Sequence, residues 1–72
     1  MKIELTKDEA LVLFDFLSRL NANDQTNLFH DQAEQKVLWI IEGILEKELV
    51  EPFKPDYKEI IQRARDRIRD NE

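Results

Sequence analysis

Helix-breaking residues are nearly confined to one place in this 72-residue chain: glycine occurs once, at Gly43, and both prolines lie within Glu51 to Pro55. Glycine and proline are the strongest local interrupters of regular structure, so the long stretches on either side of that segment read as helix. Start signals support this. Thr6-Lys7-Asp8-Glu9 has the form of a capping box, in which a hydroxyl and a carboxylate each accept from an orphan amide at a helix start. Asp31-Gln32-Ala33-Glu34 repeats the pattern, and Asp56-Tyr57-Lys58-Glu59 offers it a third time. The spacing predicts helices over about 7–20, 31–49 and 57–69, an all-α three-helix bundle occupying residues 1–72 as a single domain. Lys2 to Leu5 alternates polar and apolar without an evident strand partner and is expected as a short extended lead-in.

Asn21 to Asn27 is rich in Asn, Asp and Thr, whose side chains bond to nearby backbone and favour turns. It is expected to form the first connector, with Leu28 and Phe29 folding back over the start of the second helix. Seventy-two residues leave room for one small core, and with no cysteine neither a disulfide nor a thiolate metal site can reinforce it. The N-terminus lacks the charged region and apolar run of a signal peptide, and no apolar stretch approaches the roughly 20 residues that span a bilayer. A cytoplasmic, membrane-free location is the expectation.

At 100° per residue the third helix confines Tyr57, Ile60, Ile61, Ala64 and Ile68 to a stripe about 100° wide, enough for one packed face. The first helix spreads its apolar residues over about 260° and should touch something on two sides. Either it lies between the other two helices, or Val12 and Phe16 form an exposed edge for a partner or a second copy. In the second helix the expected core stripe is Ala33, Val37, Leu38, Ile40, Ile41, Ile44, Leu45 and Leu49. Trp39 points about 160° away from its centre, with Gln32, Gln35, Gly43 and Glu46. An outward Trp suits an interface anchor. Equally, Phe53 or the 21–30 segment could fold over it as a satellite cluster.

The chemistry for catalysis is missing. His30, the single histidine, sits beside Asp31 and reads as a polar residue at a helix start; Ser18, Thr6 and Thr26 lack an arrangement with a base. Glu42 with Glu46, and Asp66 with Asp70, are i, i+4 carboxylate pairs that could ligate a metal if turned inward, but both lie on polar faces. No enzyme, cofactor or metal is expected. Formal net charge is −5, with −6 carried by residues 1–51 and +1 by residues 52–72. This balance opposes nucleic-acid binding and favours a basic protein partner. The arginines at 63, 65, 67 and 69 are interleaved with Asp66 and Asp70 and read as a solvated helix exterior rather than a phosphate-binding footprint.

The segments KIELTKDEALVLFDFL, DQAEQKVLW, LEKELVEPF and DYKEIIQRARDRIRD resemble a group of short bacterial proteins that look like immunity proteins accompanying large secreted polymorphic toxins. The resemblance covers nearly the whole chain and implies a protein that neutralises a cognate toxin by masking a basic surface. Size, acidity and helicity are also similar to those of the immunity proteins of nuclease colicins. Asp56-Tyr57 here opens a long basic helix instead of preceding a short one, so no binding residue carries over from that family. On this reading Asp15, Glu42 and Glu46 are the expected steering charges, with Trp39 and Phe16 as anchors. The alternative is a homo-oligomeric structural or adaptor module, a possible homodimer pairing through the wide face of the first helix.

Overall fold

A computed structural model describes residues 1–22 and 28–70. Three helices form an all-α bundle: α1 Lys7–Ala22, α2 Gln32–Glu48 and α3 Tyr57–Asp70, with a short 3-10 turn, Glu51–Phe53, before α3. Residues 1–6 precede α1 without helix or strand pairing, and Ile3 and Leu5 are exposed there.

The first capping box forms as the sequence predicts. The Glu9 amide donates to Thr6 Oγ1 at 3.1 Å, and the Thr6 amide donates to Glu9 Oε1 at 2.8 Å. At α2, Asp31 Oδ1 accepts from the Ala33 amide at 2.7 Å, but Glu34 reaches one residue further back, to the His30 amide at 2.8 Å. The third box is not made: the Asp56 backbone carbonyl accepts from the Glu59 and Ile60 amides, and the Glu59 carboxylate turns toward Arg63 at 3.8 Å. Pro52 stands in the 3-10 turn, where a missing amide costs nothing, and the turn closes through Lys54 N–H to the Glu51 carbonyl at 3.0 Å.

α1 packs against both α2 and α3, so the central position implied by its wide apolar arc is the one it takes. Leu11, Phe14 and Leu17 of α1 meet Leu45 and Leu49 of α2 and its boundary, and Ile61 and Ala64 of α3. Ala64 is fully buried, and its small side chain lets α1 and α3 approach closely. Val12 joins the periphery of this core, leaving Phe16 as the exposed residue of the expected α1 edge.

Three further expectations need correction. α1 runs on through Asn21 and Ala22, because the Asn21 side chain finds an acceptor across the bundle in place of its own backbone. The remaining connector, 23–27, lies outside the described residues; Leu28 beside it is exposed, not folded over α2, whereas Phe29 is half-buried. The larger correction concerns α2. Of its expected core stripe, Leu45 and Leu49 are buried and Leu38 and Ile41 are half-buried, but Ala33, Val37, Ile40 and Ile44 are exposed. With α1 in the middle, α2 has one neighbour along its length, and one neighbour covers only part of a wide apolar arc.

Candidate protein interface

The residues expected to meet a partner separate into two groups. Asp15 and Glu42 are turned into the bundle. Asp15, with only 16% of its side chain exposed, accepts from Arg65 at 2.6 Å, Tyr57 Oη at 3.1 Å and Arg19 at 3.1 Å. It ties α1 to α3. Burial first, then the Asp15 charge, pushes the Tyr57 phenol far above its ordinary value. Glu42 is half-buried between α2 and α1, accepting from Ser18 Oγ at 2.9 Å and Asn21 Nδ2 at 2.6 Å. Each carboxylate bonds donors of its own chain: Asp15 faces two arginines, whereas the donors on Glu42 are uncharged and leave its charge in place. Both come from helix faces that look polar by periodicity, and sequence offers no sign of the donor that waits across the bundle.

The second group stays at the surface. Glu46 is exposed. Trp39 is 48% exposed and Phe53, one expected cover, is 75% exposed; the other expected cover, the 21–30 segment, lies partly outside the described residues. Gly43, one turn on, has nothing within 4 Å of where a Cβ would stand. Phe16 is also about half exposed, with the Arg19 guanidinium 5.8 Å from its ring centroid. The empty space at Gly43 makes a stability prediction: Gly43→Ala should raise helix propensity by about 1 kcal/mol and the melting temperature by roughly 4 to 8 °C. Thermal denaturation followed by circular dichroism checks it, and no rise would mean that a side chain at 43 meets an obstacle.

The surface missed by sequence reasoning is the α2 stripe of Val37, Ile40 and Ile44, each more than half exposed. A signal was present. Counting 100° per residue, the apolar arc from Ile40 to Leu49 spans about 180°, too wide for one packed face, as in α1. Relative to Leu38, Leu45 and Leu49, which point inward, Trp39 lies about 100° to one side and the stripe about 130° to the other.

Several charges elsewhere are matched within the chain. Arg67 makes a two-point contact with Asp8, both bonds 2.7 Å, and its hydrogen bonds hold the Asp8 carboxyl below the usual carboxylate range. Lys7 pairs with Glu51 at 3.1 Å, Arg63 with Glu59, and Arg69 with Asp66 and Asp70. All four α3 arginines are therefore paired with carboxylates of the chain. Among the described residues no group of three His, Cys, Asp or Glu side chains could hold a metal ion, and no helix is long and apolar enough to cross a membrane. No family model, no curated protein and no solved structure matches the chain, so its likeness to known proteins adds nothing to this geometry.

Proposed function

We propose that this chain is a non-catalytic cytoplasmic protein that acts by binding another protein through the outer surface of α2. The observation that carries the reading is the concentration of exposed large apolar side chains on that one helix: Val37, Trp39, Ile40 and Ile44. Scattered single apolar residues are ordinary on a surface, whereas several together mark an interaction site; Val37, Ile40 and Ile44 share one side of α2 and Trp39 stands on another.

Its specific form is neutralisation of a basic bacterial toxin domain, the function implied by the resemblance in sequence. What supports it is the half-exposed Trp39 with the exposed Glu46 two turns on and an open Gly43 between them, on a chain of net charge −5. An aromatic anchor would supply affinity and the surrounding charge would speed and orient encounter. The test is calorimetric titration against the product of the neighbouring gene, if that gene encodes a large protein with a toxic C-terminal domain. Trp39→Ala should weaken binding by about 2 kcal/mol or more, roughly 30-fold, with helicity unchanged. Unchanged affinity in a folded Trp39→Ala protein would remove Trp39 from the interface.

A further inference from the structure

The register between α1 and α2 carries the first half of α2 past the end of its neighbour. Lys7, at the start of α1, pairs with Glu51 just beyond α2, while Ser18 and Asn21, near the end of α1, bond Glu42. The two helices therefore run antiparallel. Past Asn21 only Ala22 remains of α1, whereas ten residues of α2, 32–41, still precede Glu42. At 1.5 Å per residue they extend about 15 Å.

Burial follows this register. The first buried residue of α1 is Leu11 and that of α3 is Ile61, each the fifth position of its helix, but α2 has none before Leu45, its fourteenth. Between Gln32 and Ile41 only Gln35, Leu38 and Ile41 are half-buried, and of these Leu38 and Ile41 pack against the core. Among the described residues no side-chain hydrogen bond or ion pair joins 32–41 to α1 or α3. The bonds at its start, from the Ala33 amide to Asp31 and from the His30 amide to Glu34, are local and break with it.

A segment placed this way is held as helix mainly by its own propensity. Short helical stretches without tertiary packing are marginal in water, and Val37, Trp39, Ile40 and Ile41 are weaker helix formers than Ala or Leu. Gly43 stands where the covered part begins. Glycine loses more backbone freedom on folding than any other residue, so the helix breaks most easily there. The α1–α3 pair is tied differently: Asp15 with Tyr57 and Arg65, and Asp8 with Arg67, bridge the two helices around Leu11, Ile61 and Ala64. Losing 32–41 from the helix leaves all of these contacts in place.

We infer that residues 32–41 open and close as an arm, independently of the rest of the bundle. Opening breaks helical hydrogen bonds and the half-buried contacts of Leu38 and Ile41, a small part of what global unfolding breaks. Trp39 lies on this arm, so a partner docking there would hold it closed; that consequence rests on the proposed function, whereas the opening itself does not.

The experiment is amide hydrogen exchange, followed by NMR on the full chain without a partner. Amides 36–40 bond to carbonyls one turn back within α2, so a rigid helix protects them. Their exchange, corrected for intrinsic rates, should be at least about tenfold faster than that of the slowest amides of α1 and α3. Ile61→Val separates local from global opening. This mild truncation of a buried α3 residue should speed the slowest amides of α1 and α3 by about two- to tenfold. Amides 36–40 should keep their wild-type rates, because opening the arm leaves residue 61 packed. The inference is overturned if 36–40 are protected as well as the slowest amides, or if Ile61→Val accelerates 36–40 by the same factor as the core. Either result would leave the Trp39 interface standing, since a rigid arm displays the same side chains. Failure of that interface, in turn, would not alter exchange in the free chain.

Discussion

Leu11→Ala is expected to remove most of the chain's stability, whereas Ile44→Ala, a truncation of similar size, should change it by less than about 1 kcal/mol. Leu11 is 2% exposed and sits on the central helix among Phe14, Leu17, Leu45 and Ile61. Removing its branched end loses the transfer free energy of the buried methyls and leaves a cavity that neighbouring helices cannot fully close, together about 3 kcal/mol. A domain of this size holds only about 3 to 5 kcal/mol in all. Ile44 is 56% exposed, so its removal opens no cavity. Urea denaturation of both variants decides the matter. Equal midpoints would mean that the α2 stripe is packed like the core.

Asp15→Ala carries the second largest effect, a loss of about 1 to 2 kcal/mol, because three donors from two helices converge on this carboxylate. The value is discounted for the partial exposure of Arg65 and Arg19, which water re-solvates, while the half-buried Tyr57 hydroxyl is left without its acceptor. The same contact shapes the alkaline limit. Tyr57 has a folded value raised above its ordinary 10.0, first by burial and then by the Asp15 charge. A raised folded value means that the unfolded chain releases its proton first. The stabilisation is therefore complete below pH 10 and declines as pH rises above it. Tyr57→Phe should flatten that decline, and Asp15→Ala should weaken it in part. Denaturant midpoints recorded across neutral to strongly alkaline pH test both, and an alkaline decline as steep in Tyr57→Phe as in wild type would assign it to another group.

Much of the architecture is written locally. The Thr6–Glu9 reciprocal cap, the Asp31 cap and the Pro52 stop are interactions within a few residues, so residue order alone specifies them. Helix starts at Lys7 and Gln32 follow from these signals, α3 starts at Tyr57 without its expected side-chain cap, and the 260° arc of α1 allowed the central place it takes. The candidate interface was legible only in part. Trp39 and Glu46 were placed outward by periodicity and are exposed. The bonds that Asp15 and Glu42 make within the chain were not legible because their partners are distant in sequence: Tyr57 and Arg65 lie 42 and 50 residues from Asp15, and Ser18 and Asn21 lie 24 and 21 residues from Glu42.

The fate of α2 marks the boundary between the two kinds of information. Periodicity determines which side chains share a face, and it grouped Val37, Ile40 and Ile44 with Leu45 correctly as one broad apolar arc. Which part of that arc is covered depends on how many neighbours the helix has and from what direction they come. The amino-acid sequence by itself determined three helices, the caps of the first two and the outward position of Trp39. Only the tertiary arrangement, with α1 between α2 and α3, decided that Leu45 would be core and Ile44 surface. Those two residues are adjacent and nearly equal in hydrophobicity, and a rotation of about 100° around the helix axis separates them.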